Sequence, residues 1–193
     1  MNVNIAKFRS YFSAVAIALA VAASAHSQEI EPPVPELDLL KRDVGKWDCT
    51  IKVWPEPEAK PQVSKGSESS RMFGGYWLIT EFKGTMMGMD FQGHGNYGYD
   101  NRAKKYVGTW IDTLGPYMMH TEGTYDEKTE TLTVAGDSPG PDGKTMFTYT
   151  MSTCYAGGGR VMTMYMQPKG TSDDSKMKFF EITYTKKKTR TGG

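Results

Sequence analysis

From Gly45 to Lys188 the chain alternates apolar and polar residues in short runs that turn signals interrupt. Alternation with a period of two is typical of a β-strand that is buried on one face. There are about ten such runs, and no long helical pattern separates them. Because the runs follow one another closely, we expect each strand to pair with the next and the last, Met177 to Thr185, to pair with the first. The pattern therefore predicts an all-β fold, an antiparallel up-and-down barrel.

The first strand indicates which side chains face the inside of this barrel. Its polar residues Asp48, Thr50 and Lys52 alternate with four apolar residues on the other face: Trp47, Cys49, Ile51 and Val53. We expect the apolar face to point inward. The second strand, from about Val63 to Phe73, is more polar, and Gly74-Gly75 predicts a two-residue hairpin turn after it.

One short helix is predicted before the barrel, from Pro35 to Val44. Leu37 and Leu40 recur on one face of it, and Gly45 is suited to a left-handed stop at its end. A helix with a single apolar stripe needs an apolar surface to lie on. We expect it to close one end of the barrel.

The N-terminal residues have the pattern of a signal peptide. Lys7 and Arg9 precede a short apolar stretch, and Ala23-Ser24-Ala25 is a small-x-small cleavage site. The stretch is shorter than the roughly 20 residues of a membrane span, so we expect no transmembrane anchor and a periplasmic or secreted protein. The expected organisation is a signal peptide at 1–25, a proline-rich linker at 26–35, one barrel domain at 36–188 and a disordered tail at 189–193.

Charge excludes one class of partner. The 23 basic and 22 acidic residues leave a net charge of +1, so no overall field attracts nucleic acid or an anionic membrane. The basic run at Lys186 to Arg190 lies at the C-terminal end and is interpreted as a solvated tail. We therefore expect no nucleic-acid partner.

Gly93 to Gly98 matches the dinucleotide-binding pattern G-x-G-x-x-G. That function needs a helix directly after the glycines, because the pyrophosphate binds to the free N–H groups at the start of the helix. Here strand alternation continues through Tyr97 and Tyr99 instead. The glycines are better explained as positions where a bulky neighbour crosses the strand or where the strand bends.

Histidine and methionine suggest two kinds of metal site. His94 and His120 could ligate a metal or haem iron, but each shares a polar face, so both line the barrel only if its interior is polar. Methionine sulfur could bind Cu(I), and the methionines form two groups: Met86, Met87 and Met89, and Met162, Met164 and Met166. The sequence favours an adaptable apolar pocket over copper, since histidine and cysteine are not close to either group.

Catalytic residues cannot be assigned from the sequence. The motifs of serine hydrolases, zinc proteases and P-loop proteins are not found, and the carboxylates are scattered over separate strands. Cys49 and Cys154 are predicted on non-adjacent strands, which disfavours a disulfide although export would permit one. The sequence leans against an enzyme and indicates no cofactor.

A set of short motifs resembles a bacterial family of secreted proteins that is catalogued only as a domain of unknown function. The motifs cover most of the mature chain: Val44 to Thr50, Trp54-Pro55, Arg71 to Gly75, Met86 to Met89, Gly93-His94-Gly95, Gly98-Tyr99-Asp100, Tyr106 to Trp110 and Glu122 to Asp126. The resemblance implies a lipocalin-type, calycin-like barrel. It implies neither an established substrate nor catalytic residues.

The sequence thus predicts a barrel that binds a small apolar or amphipathic molecule in its lumen. The candidate ligand-binding residues are predicted on the inner wall and at its rim: Trp47, Ile51, Trp77, Met86, Met87, Met89, Trp110 and Met164. Two alternatives stay open at this point. One is a haem or metal carrier that uses His94 or His120, and the other is a structural or interaction protein with a filled barrel.

Overall fold

The computed structural model describes residues 31–140 and 142–187. Ten antiparallel strands form a closed barrel in which each strand pairs with the next and the last pairs with the first. This confirms the predicted up-and-down fold. The strands are β1 (Gly45–Val53), β2 (Gln62–Phe73), β3 (Trp77–Met86), β4 (Met89–Asp100), β5 (Lys105–Asp112), β6 (Met118–Asp126), β7 (Thr131–Pro139), β8 (Met146–Cys154), β9 (Arg160–Pro168) and β10 (Met177–Lys186).

The barrel closes where β1 meets β10. Their register runs from Trp47 opposite Lys186 to Val53 opposite Phe180. A flat sheet of this many strands would leave two edges with unpaired N–H and C=O groups, and closure removes both. The pairing of first and last strands, predicted from sequence, is confirmed.

Burial along β1 confirms the predicted inward face. Trp47, Cys49, Ile51 and Val53 are at most 9% exposed, and they join the main buried core with inward residues of the other strands. Ile51 is fully buried, whereas its neighbour Lys52 points outward and pairs with Glu181 of β10. Strand alternation therefore separates the interior from the surface, as the pleat requires.

The helix α1 (Leu37–Lys41) is shorter than the predicted helix over residues 35–44. The bonds that follow it run from the N–H of Arg42 to Leu39 and from that of Asp43 to Leu40, so the chain tightens into i to i+3 turns before β1. Three leucines of the helix are buried in a second apolar cluster with Leu78, Tyr106 and Tyr155. Leu78, Tyr106 and Tyr155 lie at one end of the barrel. The helix α1 covers this end, as expected.

One hairpin turn differs from the sequence-based expectation. The connection after Phe73 has three residues, 74–76, rather than two.

The methionine segment between β3 and β4 is a tight hairpin. At the end of the barrel opposite to α1, Met86 pairs directly with Met89 across a two-residue turn. Both turn residues, Met87 and Gly88, have positive φ, as a type I′ hairpin needs.

Several predicted segments lie outside the described residues: the signal peptide at 1–25, most of the linker and the tail at 189–193. Within 31–140 and 142–187, no helix is long and apolar enough to cross a membrane.

The assignment of the inward face of β1 can be tested by substitutions at two neighbouring positions. Ile51→Ala is expected to lower the free energy of unfolding by about 2–5 kcal/mol, because it leaves a cavity in the packed core. Lys52→Ala removes one of the two lysines that pair with Glu181 on the outer face, and it is expected to cost less than about 1 kcal/mol. Urea denaturation followed by circular dichroism measures both. Similar losses at the two positions would show that the assigned inward face is wrong.

Candidate functional site

A cavity of about 560 Å³ lies inside the barrel. At the α1 end it is lined by Leu40 and Tyr155. At the opposite end it reaches Met87 and the connection between β5 and β6, where Leu114 and Tyr117 line it. The cavity therefore extends along the barrel from the end that α1 covers toward an end that only short connections surround.

Aromatic rings and methionines form nearly half of the cavity lining. The Phe91 ring lies edge-to-face on Phe82 at 5.9 Å between centroids and stacks on Trp110 at 6.5 Å. The indole N–H of Trp110 donates a hydrogen bond to Asp112 Oδ2 at 2.9 Å, which helps to orient the ring. The lining methionines come from five strands and one turn: Met86, Met87, Met89, Met119, Met151, Met162 and Met164.

Glycines provide the space that two of the large rings occupy. A Cβ at Gly93 would lie 2.0 Å from the Trp110 ring, and one at Gly108 would lie 2.4 Å from the Tyr97 ring. Such distances are far below van der Waals contact, so these positions accept only glycine while the rings stay in place. Gly93 to Gly98 thus belongs to β4, with no helix after it, and the glycines accommodate bulky neighbours as predicted.

A buried arginine occupies the α1 end of the cavity. Arg160, the first residue of β9, is 5% exposed; its Nη1 pairs with Asp43 Oδ1 at 3.0 Å and its Nη2 donates to Glu68 Oε1. Its guanidinium carbon lies 4.6 Å from the centroid of the Trp47 ring and 3.5 Å from that of Tyr184. Two carboxylates and two ring faces therefore hold one cation.

When Asp43, Glu68 and Arg160 are all ionised, this cluster has more negative than positive charge. Ser70 donates to Glu68 Oε1 at 3.1 Å, and the Tyr155 hydroxyl donates to Asp43 Oδ2 at 3.1 Å. Burial raises the pKa of both carboxyls, and the opposing effect of the Arg160 cation is smaller. One guanidinium thus does not fully compensate two buried carboxylates.

Three buried polar atoms next to the cavity have no hydrogen-bond partner among the described residues. They are Thr121 Oγ1 on the inward face of β6, Arg160 Nε, and Asp43 Oδ1, which is ion-paired with Arg160 Nη1 without forming a hydrogen bond. All three residues line the cavity. Unsatisfied buried polar atoms are uncommon in native proteins and call for an explanation, of which a bound partner is one.

Apolar side chains surround the end of the cavity opposite to α1. Met87, Met89, Leu114 and Tyr117 all line the cavity, and each is between 36% and 49% exposed. Met86, beside them in sequence, is buried at 3% and belongs to the core. We call the four exposed residues the rim; it is a surface from which an apolar molecule could reach the interior.

The structure brings five of the eight predicted ligand-binding residues to the cavity: Met86, Met87, Met89, Trp110 and Met164. Trp47 and Ile51 belong to the buried core behind the lining. Trp77 lies on the outer face and is 43% exposed, because Leu78 takes the inward position of β3. A Cβ at Gly98 would lie 2.7 Å from the Trp77 ring, so this tryptophan covers a glycine on the outside of the barrel.

The predicted metal ligands lie on the outer face. His94 Nε2 is 3.3 Å from Asn96 Oδ1, and His120 borders a shallow surface groove with Trp77 and Thr109. Gly93 and Gly95 on β4, and Met119 and Thr121 on β6, take the inward positions on either side of the histidines. In the described part of the chain, no group of three or more His, Cys, Asp and Glu is placed to hold a metal ion.

Both cysteines are free thiols. Cys49 pairs with Gly66 and Tyr184, and Cys154 pairs with Thr131 and Val161, so the two lie on strands that are not neighbours. Burial raises the pKa of Cys49 to about 12, which makes this thiol a poor nucleophile.

Sequence reasoning missed the buried charges Asp43, Glu68 and Arg160. Arg160 had a usable signal, because it precedes Met162 and Met164 in the same alternation and therefore faces inward with them. Glu68 had none, since polar residues occupy both faces of β2. Its partner Arg160 lies 92 residues further along the chain, so only the closed fold brings the two together.

Comparisons with known proteins agree with this architecture. A family model described as "Protein of unknown function (DUF1579)" matches residues 32–186. The search of curated proteins finds no match. Among solved structures, the chain is similar to the crystal structure of Rv2717c from M. tuberculosis, with a TM-score of 0.58, 12% identity and coverage of 81% of this chain and 100% of that chain. At this identity the likeness shows the fold alone.

The glycine under Trp110 gives a test of the cavity wall. Gly93→Ala is expected to lower the free energy of unfolding by about 1–3 kcal/mol, because the new methyl group must displace the indole ring. Gly159→Ala is the control, since its Cβ would meet no atom closer than 3.7 Å and its φ is −83°. Its cost is expected to stay below about 0.5 kcal/mol. Urea denaturation measures both variants, and equal costs would contradict the assigned position of Trp110.

Proposed function

We propose that this chain, which belongs to the DUF1579 family of proteins of unknown function, binds a small amphipathic molecule in the cavity of its barrel. The observation that carries the proposal is the cavity itself. Its volume of about 560 Å³ lies in the range of about 300–1,000 Å³ that is usual for small-molecule sites. Its lining is mainly apolar, with a small number of polar side chains, which is the composition such sites have. Asp43, Glu68 and Arg160 lie at the α1 end, while Asp112 and Asp142 at the opposite end already accept hydrogen bonds from Trp110 and Thr145.

The choice of wall residues supports an adaptable site. Methionine has an unbranched, polarisable side chain that adjusts to differently shaped apolar guests. The aromatic rings of Phe91 and Trp110 add flat surface against which a ring or an alkyl chain packs. A barrel that served only as a scaffold would gain stability from filling this space, because voids remove packing contacts. We therefore favour ligand binding over a filled structural barrel.

The polar end of the cavity supports an amphipathic ligand rather than a purely apolar one. Asp43, Glu68 and Arg160 line the cavity at the α1 end, and Thr121 lines it from within β6. A hydrocarbon placed against these side chains would exclude water from them and would not replace the hydrogen bonds that water makes. A ligand with one polar group and an apolar body matches both parts of the cavity.

Three further features belong to this proposal. The barrel is a calycin-like one, as the family resemblance implies. The signal-peptide pattern at 1–25 supports export to a periplasm or to the outside of the cell. The proposed role is binding of a small molecule, and it includes neither nucleic acid nor an assigned reaction.

A cavity-filling substitution tests the proposal. Met119→Trp is expected to weaken the binding of a fluorescent apolar probe at least about tenfold, because the larger side chain occupies ligand space. Met118→Trp is the matched control, since Met118 precedes it on β6, points outward and is 55% exposed. Met162→Trp on β9 repeats the test from another wall. Probe binding that all three variants retain, or that the wild type lacks, would refute a binding cavity.

The rim gives a second test. Replacing Met87 and Met89 together by Ser is expected to weaken probe binding by about 1–3 kcal/mol, because apolar surface at the mouth is lost. The melting temperature is expected to stay nearly unchanged, since both side chains are partly exposed. Met118 and Met146, both exposed methionines, form the control pair. A large fall in melting temperature with unchanged probe binding would show that the rim methionines serve packing only.

A further inference from the structure

We propose that the polar group of the ligand is a cation, so that the cavity selects amphipathic amines over fatty acids and other amphipathic anions. This inference rests on the proposed function and adds the chemistry of the ligand. It follows from the charges and ring faces at the α1 end of the cavity.

The first argument is that the charges at the α1 end do not balance when all are ionised. Asp43, Glu68 and Arg160 then carry two negative charges and one positive charge, and their side chains are between 5% and 13% exposed. Among the described residues that line the cavity, Arg160 is the one cation. Arg42 is not part of the lining: its guanidinium carbon lies 4.7 Å from the centroid of the Tyr155 ring, and its Nη1 pairs with Glu130. Charges in a buried cluster interact more strongly than in water. An ammonium group in the cavity would bring the cluster to neutrality, whereas a carboxylate would add a third negative charge.

The second argument is that Arg160 is already occupied. Its Nη1 pairs with Asp43 and its Nη2 donates to Glu68, so the two ends that would grip a ligand carboxylate are in use. The remaining N–H, at Nε, has no acceptor among the described residues, and an oxygen elsewhere on the ligand could accept from it. A single N–H does not give the two-point contact that arginine makes with a carboxylate. The bidentate arginine that commonly holds an anion is therefore not offered to the ligand.

The third argument is the supply of acceptors. Both hydrogen bonds that Glu68 accepts from side chains end on Oε1, and Oε2 takes part in neither. The hydroxyl oxygen of Thr121 has no partner among the described residues. Oxygens of this kind accept hydrogen bonds from an ammonium group, which has donors and no acceptor.

One aromatic ring beside the cluster adds to the site. Tyr97 lines the cavity there and its ring could attract a further cation, whereas the rings of Tyr155 and Tyr184 already lie against the guanidinium groups of Arg42 and Arg160. Burial raises the pKa of Asp43 and of Glu68, and a ligand cation beside these carboxyls would oppose that rise. The competing way to neutralise the cluster is a proton on one carboxyl, and this would favour a neutral alcohol.

Three probes with one alkyl chain and different head groups test the inference. Decylamine, 1-decanol and decanoate are titrated against wild-type protein loaded with a fluorescent apolar probe, at pH 7 and below their micelle concentrations. We expect decylamine to bind at least about tenfold more tightly than decanoate, a difference of about 1.4 kcal/mol, and more tightly than decanol. Decanoate or decanol binding as tightly as the amine would overturn the inference.

A charge-removing variant identifies the residue responsible. Glu68→Gln keeps the shape of the side chain and is expected to reduce the preference for decylamine over decanoate about tenfold. Glu122→Gln is the matched control, because Glu122 is 63% exposed and pairs with Lys105 on the outside of the barrel. If Glu68→Gln fails to fold, Asp43→Asn is tested in its place, because it removes the negative charge of the other carboxylate in the cluster. A preference for the amine that both charge-removing variants retain would also overturn the inference.

The experiment separates this inference from the proposed function. If decanol and decanoate displace the probe but the amine has no advantage, the cavity binds amphipathic molecules and only the charge assignment is wrong. If none of the three compounds displaces the probe and the probe itself does not bind, the proposed function is wrong, and this inference with it.

Discussion

The pairing of β1 with β10 is the constraint on which the rest of the structure depends. Without it the ten strands would form an open sheet with no interior. Arg160 stabilises this closure from the inside, because its guanidinium lies against Trp47 of β1 and Tyr184 of β10 while it pairs with Glu68 of β2. The same side chain pairs with Asp43, which lies between α1 and β1. One buried cation thus connects the strands around the closure to the covered end of the barrel.

The interior differs between the two sides of the closed barrel. On β1 every second residue is a large apolar side chain or a cysteine that packs into the core. On β4 and β5 several inward positions are glycines, and these let Trp110 and Tyr97 lie flat against the wall. Flat rings leave more free space than rings that project inward. The cavity is therefore a consequence of where the sequence places glycine beside an aromatic residue.

The fold could be predicted from sequence because its signals are local. The alternation in β1, the ten runs and the turn residues between them depend on neighbours along the chain. The inward group Met162, Met164 and Met166 follows from the same alternation. Local signals were less reliable at element ends: α1 tightens into i to i+3 turns, and Trp77 at the start of β3 points outward although an isolated tryptophan suggests a core residue.

The polar part of the site could not be predicted because its members are distant in sequence. Glu68 lies in a strand with polar residues on both faces, and the carboxylate pairs with Arg160 only after the barrel closes. Pattern analysis therefore identified the apolar wall and missed the charges that distinguish one ligand class from another. Buried charges have a cost that needs compensation, so they are a better guide to ligand chemistry than the apolar residues around them.

The most direct test of a ligand-binding barrel is native mass spectrometry of the protein, purified without denaturation from cells that make it. The account predicts a species heavier than the polypeptide by the mass of one small molecule, which is released when the protein is unfolded. The released mass would also identify the ligand, and an amine among the bound compounds would agree with the charge of the Asp43, Glu68 and Arg160 cluster. If every preparation made without denaturation showed only the mass of the polypeptide, this result would contradict the account.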